Sequence, residues 1–434
     1  MLNRDIIQNT GFTNTVRDGE VVGFEFRVRN PNYRGVSSSL VDGVAVTLGG
    51  HTWSEAETTL VLGGREFDLA SLRTSTGARW PLTDPVTVRV PLAGGLKAGV
   101  HHLAVDIRLR APYFPIEFQP NITHSERAVT LVDPVASPAF QYGVSTYSYT
   151  DDLYTLLSLE DALAEVADLG ATGIEILGEA NVPGYPNPSS VWIDEWHALV
   201  AKYQLTPTNF GSWIDSRMWL ERDLTAVEGA EQLSRDIKLA AELGFSFVRP
   251  KIGVISLDLV PHPIWDEAVA RCLDLAHELG IVIAPEIHSP TPIRHEVVDG
   301  YLDFIERTGT KNFGLLIDTG IFMTKSAFQG WDLNSAPLSE EDIPVPLRAL
   351  KVPASDLVDI MKHVVFIQAK FYEVDENLVD PHIPWREVFT VLKEQGYTGF
   401  LSSEYEGPRQ PYRGIEQVRR QHSMFHQLER ELFA

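Results

Sequence analysis

Two rhythms of apolar and polar positions divide the chain. Up to about residue 137 the apolar residues fall in short runs that alternate or are β-branched: GFEFRVRN, DGVAVTLGG, TTLVLGG, PVTVRVPL and HHLAVDIRLR, with turn signals between them. Alternation with period two and almost no helical periodicity predicts an all-β, sandwich-like domain over residues 1–137. DPVASP then reads as a linker. From residue 138 to 434 a different phrase repeats, helix, then glycine, then strand, then a polar tip. ADLGATGIEIL, AELGFSFVRPKIG, HELGIVIAPEIHSP, RTGTKNFGLLIDTG and EQGYTGFLSSEYEG are five variants of it. With YGVSTYSY, LTPTNFGSWI and HVVFIQAKFY the strands number eight, each followed by a segment able to form a helix. That count predicts an α/β fold, a (β/α)8 TIM barrel preceded by the all-β domain. The competing open doubly wound sheet lacks support, since no strand is followed by G-x-G-x-x-G, and neither NAD nor flavin is expected.

In such a barrel the chemistry gathers where the strands end. The residues closing strands five to eight are therefore read together: Glu286 and His288, Asp318, Gln368 and Lys370, Glu404 and Glu406. Strand two leads into Glu179, and strand four delivers Arg249 and Lys251. One carboxylate at a strand end is more often a helix cap or an ion-pair partner. Three at the same phase of the repeat, Glu286, Asp318 and Glu404, would repel one another at one mouth unless a cation lay between them. A divalent metal is the economical answer.

Composition narrows the options. The 434 residues are 44% apolar, enough for two domains with cores of their own. A formal charge of −23 disfavours nucleic acid as a partner but suits a bound cation. No apolar run approaches the ~18 residues of a membrane span, and MLNRDIIQNTGFTN lacks the marks of a secretory signal, so the expectation is a cytoplasmic protein with no membrane partner. The single cysteine, Cys272, excludes an intrachain disulfide and reads as a small core residue. For a base, His288 stands out: it lies two residues after Glu286, hence on the same strand face, and imidazole titrates near neutral pH. Lys251 and Lys370 are candidates to bind substrate oxygens, share negative charge, or pair with the carboxylates. Trp213, Tyr147 and Tyr185 occupy strand tips or loops, where an aromatic face could stack on a ring, and Glu179 joins them as a substrate-binding candidate.

These residues resemble a known family. The barrel is similar to the xylose isomerase-like sugar isomerase/epimerase superfamily, whose members hold a divalent metal with Glu, Asp, His and Glu from late strands; Glu286, Asp318 and Glu404 fall on three of those positions. The steps from 286 to 318 and from 368 to 404 are those of adjacent βα units, while QGWDLNSAPLSEEDIPVPLRALK between strands six and seven looks like an insertion. Gln368 lands on the histidine position, which implies either a fourth, amide ligand or a hydrogen-bonding residue beside a metal held by the three carboxylates and water. An all-oxygen set favours Mn²⁺ first and Mg²⁺ second.

A narrower resemblance joins both halves. GIEILGEANVPGYPNPSSVWIDEWHALV and QYGVSTYSYTDDLYTLLSLEDALAEV resemble the α subunit of bacterial C-glycoside deglycosidases. NPNYRGVSSSLVDGVAVTLGG and GVHHLAVDIRLRAPYF resemble their β subunit. The resemblance implies a lyase that cleaves the C1-aryl bond of 3-oxo-C-glycosides, such as those of flavonoids, by C2 proton abstraction and β-elimination. It implies a small glycoside substrate supplied by a separate sugar 3-oxidase, His288 as base, and a homo-oligomer. A sugar epimerase or isomerase, a 3-keto-O-glycoside eliminase and a non-catalytic carbohydrate-binding protein remain the alternatives. Lys251 at the tip of strand four, where an epimerase would place a second carboxylate, weighs against the first of them.

Overall fold

The computed structural model describes residues 4–257, 259–327, 339 and 341–433. Of the segment read as an insertion, residues 329–351, positions 329–338 and 340 lie outside them. The chain divides into two compact units. The first runs to Pro134 and takes in Glu376–Leu378 and Arg419–Met424; the second comprises the remainder from Val135 onward.

The first unit is built on two antiparallel sheets. One has five strands, in the spatial order Thr13–Arg17, Glu20–Val28, Val86–Pro91, Thr59–Leu62 and Arg65–Phe67; the other has four, Asn121–Leu131, Gly99–Leu109, Val41–Leu48 and His51–Trp53. The register places apolar residues opposite one another: Phe24 faces Val90 and Phe26 faces Val88 in one sheet, while Val105 faces Val46 and Ile107 faces Val44 in the other. All eight belong to one buried cluster, as the period-two pattern requires. The sequence reading named five strands and passed over NITHSERAVTL. That strand is exposed or half-exposed over its first eight residues, so it carries little apolar alternation to detect.

In the second unit the eight predicted strands all form, and they lie parallel in one sheet. They are Gln141–Ser145, Gly173–Leu177, Thr206–Ile214, Phe247–Ile252, the paired short pieces Val282–Ile283 and Glu286–Ile287, then Leu315–Asp318, Val364–Phe371 and Phe400–Tyr405. The fifth strand is interrupted at Ala284–Pro285, where proline has no N–H to give to the ladder. It still closes the ring, because Ala284 N bonds Val248 O on one side and Leu316 N bonds Pro285 O on the other. Helices return between the strands, and their starts are fixed locally. Ser158 with Asp161 and Thr225 with Glu228 form capping boxes, and Gly280 and Gly309 end two helices in the left-handed conformation.

Aromatic packing closes the floor of the barrel. Phe366 stands between Phe247 and Phe400, with ring centroids 5.5 and 6.3 Å away, over Ala284 and Leu316. Gly173 makes the room, since a Cβ there would meet Phe400 Cε1 at 2.6 Å. Alternation along the seventh strand then puts Gln368 and Lys370 above Phe366 on the inward face, and along the second strand it puts Glu175 above Gly173. Among the described residues no helix is long and apolar enough to cross a membrane. Cys272 is buried and free, as expected of a core residue.

Because Phe366 is fully buried in that floor, Phe366→Ala should destabilise the barrel by about 3–5 kcal/mol. Urea unfolding followed by fluorescence and circular dichroism checks this; an unchanged midpoint would show that the floor is loosely packed.

Candidate metal centre and base

Four neighbouring strands deliver the site. Asp318 ends the sixth strand beside Gln368 on the seventh, and Lys370 lies opposite Glu404 on the eighth. Glu286 opens the second piece of the fifth strand, opposite Leu316. Parallel register and period-two alternation therefore bring Glu286, Asp318 and Glu404 together. One carboxylate oxygen from each lies within 4.8 Å of the other two.

Two buried cations hold this negative charge. Arg249 Nη1 donates to Glu286 Oε2 at 2.6 Å, with side-chain exposures of 7% and 8%. Lys370 Nζ lies 2.6 Å from Asp318 Oδ2, 2.9 Å from Glu406 Oε2 and 3.4 Å from Glu404 Oε2. At Asp318 and Glu404 these are ion pairs by distance only, for Asp318 Oδ2 and Glu404 Oε2 are buried without an aligned hydrogen bond.

The electrostatics follow from burial and neighbours. Burial pushes the Asp318 carboxyl up to about 8, with Glu286 and Glu404 adding to the shift and Lys370 opposing it. Burial likewise raises Glu404. Burial would raise Glu286 too, but Arg249 overrides it and holds the group well below the usual carboxylate range. For Lys370 burial works against the charge, while Asp318, Glu406 and Glu404 keep its pKa well above that of an ordinary lysine.

Beside the carboxylates stands the imidazole. His288 Nδ1 is 2.6 Å from Ser289 O, which can only accept, so Nδ1 carries the proton and Nε2 the lone pair. That lone pair faces Lys251 Nζ at 3.2 Å. Burial lowers the pKa of His288 to about 4, against the pull of Glu286, so the ring is neutral at pH 7 with its lone pair on Nε2.

The other candidates divide. Trp213 lines an open pocket with Lys251, and the Arg249 guanidinium lies 5.9 Å from its ring centre. Tyr147, on the short turn after the first barrel strand, donates its hydroxyl to Glu406 Oε1 at 3.2 Å, and burial raises its pKa to about 12. Glu179 and Tyr185 lie elsewhere, lining a pocket with Tyr154 that none of the metal-cluster carboxylates borders, and Tyr185 bonds Asp236. Sequence reasoning missed Glu175. It is fully buried within the second strand, accepts from Gln368 Nε2 at 2.6 Å and from Ser402 Oγ at 3.2 Å, and burial pushes its pKa up to about 8. A lone carboxylate inside the apolar GIEIL was the available signal, the same kind that drew attention to Gln368.

The donor set fits a divalent cation. Three carboxylates from three strands offer oxygens at mutual distances short enough to share one ion, and among the described residues the buried oxygen Gln368 Oε1 has no hydrogen-bond partner. Oxygen donors alone suit a hard cation.

Comparison with known proteins decides the family. Residues 163–426 match the model of the xylose isomerase-like TIM barrel. The chain belongs to that family. Residues 2–113 match a second model, the C-glycoside deglycosidase beta subunit. The chain is 27% identical over 316 residues to the 3'-dehydrocarminate deglycosidase alpha subunit of a Microbacterium species, covering 61% of this chain and 88% of the relative. It is 25% identical over 316 residues to a C-glycoside deglycosidase alpha subunit of Arthrobacter globiformis, covering 61% and 83%. A C-glycoside deglycosidase beta subunit of Eubacterium cellulosolvens is 30% identical over 115 residues, 26% of this chain and 78% of the relative. Counterparts of an alpha and a beta subunit are thus fused here.

If Lys370 balances the buried carboxylates, Lys370→Met should destabilise the metal-free protein by about 3–5 kcal/mol, because it leaves buried charge uncompensated. Added Mn²⁺ should recover part of that loss by binding the same carboxylates. Thermal melting with and without Mn²⁺ checks both; unchanged metal-free melting would contradict the charge-balancing role.

Proposed function

We propose that this protein is a metal-dependent C-glycoside deglycosidase, a carbon–carbon lyase that releases the aglycone from 3-oxo-C-glycosides. The observation that carries the reading is the similarity of one chain to both the alpha and the beta subunits of proteins with that name. The site has groups for the chemistry. Glu286, Asp318, Glu404 and Gln368 Oε1 would hold the cation, Mn²⁺ first and Mg²⁺ second. When bound, the ion supplies Lewis-acid stabilisation of negative charge on the sugar oxygens.

The organic steps require a 3-keto sugar. An aryl carbon at C1 has no basic oxygen to protonate, so ordinary acid-assisted glycoside hydrolysis has no purchase on it. A keto group at C3 acidifies the C2 hydrogen. His288 Nε2, the basic nitrogen, takes the C2 proton, and the electron pair of that C–H bond passes into the C2–C3 enolate. Collapse of the enolate restores the C3 carbonyl, forms the C1–C2 double bond and breaks the C1-aryl bond. The aryl carbon leaves with the electron pair and is protonated, giving the free aglycone and an unsaturated 3-keto sugar. Lys251, 3.2 Å from Nε2, must yield that position to the substrate and is then placed to hold a sugar oxygen. Lys370 keeps the carboxylates compensated. Trp213 and Tyr147 offer aromatic faces for the aglycone. A separate oxidase would supply the keto group, and the working form would be a homo-oligomer of the fused chain.

The test is incubation of the Mn²⁺-loaded protein with a 3-oxo-C-glucoside of a flavonoid beside the unoxidised glucoside, with aglycone followed by chromatography. Release from the oxidised substrate alone, abolished by chelation, is expected; no release from a metal-loaded sample would refute the reading. His288→Ala should lower that release by about 10²–10⁴-fold while Mn²⁺ binding persists. Comparable turnover by the variant would remove His288 as the base.

A further inference from the structure

Gln368 stands where an amide can present either of two ends. Its side chain has no exposed surface, and in register it lies beside Asp318 on one side and Ser402 on the other. The two ends are not equivalent toward a cation, because the carbonyl oxygen carries lone pairs and the NH₂ group only donates. A flipped amide would turn a ligand into a repelling dipole.

The second strand settles the choice. Glu175 Oε1 accepts from Gln368 Nε2 at 2.6 Å, and Glu175 Oε2 is 3.2 Å from Ser402 Oγ. Among the described residues Gln368 Oε1 is left buried with no hydrogen-bond partner, an unfavourable state unless a positive group meets it. Either charge state of Glu175 preserves the arrangement, since a proton on Oε2 can be given to Ser402 Oγ while Oε1 still accepts. We infer that Glu175 is a positioning residue: by taking Gln368 Nε2 it leaves the amide oxygen as the end offered to the cation that Glu286, Asp318 and Glu404 would hold. This rests on the metal reading above and adds what lets an amide serve there. It is the amide counterpart of a carboxylate that orients a ligating histidine through its other ring nitrogen.

The experiment is a Mn²⁺ titration of the full chain, read by electron paramagnetic resonance, for the wild type, Glu175→Gln, Gln368→Leu and the double variant, with metal-free melting measured on each. Gln at 175 can bond the Gln368 amide in either orientation, so Glu175→Gln should weaken Mn²⁺ binding by about 10-fold or more. Gln368→Leu should weaken it too, and the double variant should match Gln368→Leu within about twofold, because Glu175 acts only through the amide. A merely structural role would instead give losses that multiply, and that result would overturn the inference, as would wild-type affinity in Glu175→Gln. If Glu175→Gln folds poorly, Glu175→Asp, which withdraws the acceptor by one methylene, should show the same dependence on the Gln368 background. A wild type that takes up no Mn²⁺ would overturn the metal reading and this inference together; a binding wild type with an unaffected Glu175→Gln would overturn this inference alone.

Discussion

Buried carboxylate charge at one end of the barrel is the constraint on which the site depends. Glu286, Asp318 and Glu404 converge there beside the partly exposed Glu406, and Glu175 lies buried beneath them. Arg249 and Lys370 are the buried cations that touch the cluster, the first on one carboxylate and the second shared among three. Such a cluster persists only because the strands hold it rigidly and each charge has a partner within ion-pair range. The same concentration of oxygen donors makes a hard divalent cation the natural guest.

The inward faces of the strands stack the site in layers. Phe247, Phe366 and Phe400 form an apolar floor, and Gly173 is what lets the Phe400 ring reach it. Above them Glu175, Gln368 and Ser402 form a buried hydrogen-bonded layer that points the amide. Above that come the carboxylates, Lys370, and the His288–Lys251 pair. Each layer fixes the one above it, so that a neutral imidazole with its Nε2 lone pair facing the site sits next to a cluster of anionic oxygens. An imidazole lone pair beside a cluster of oxygen donors is the arrangement that the proposed proton abstraction next to a sugar ketone would use.

Much of this was legible in the sequence, for identifiable reasons. All eight barrel strands showed themselves because parallel strands buried on both faces read as apolar runs, and the glycine-then-strand phrase recurs. Glu286, Asp318 and Glu404 stood out as polar punctuation at the same phase. What escaped did so for physical reasons too. Asn121–Leu131 has polar residues on both faces for most of its length and left no alternation. The break in the fifth strand depends on Pro285 being spanned by hydrogen bonds from both neighbours, which local pattern cannot show. Glu179 and Glu175 are both carboxylates of the second strand and its tip. Position favoured the one at the tip, while the ring geometry brings the inner one to Gln368 and leaves Glu179 in another pocket. The deglycosidase reading was never in the strand pattern; it rests on similarity to proteins of that name.

The most direct measurement is anomalous diffraction at the manganese edge from crystals grown with Mn²⁺. The account predicts one strong peak within bonding distance of an oxygen from each of Glu286, Asp318 and Glu404 and of Gln368 Oε1, with Lys370 retained on Glu406. Absence of a peak there, with Lys370 still bridging Asp318 and Glu404, would contradict it and leave the cluster as a self-contained ion-pair network.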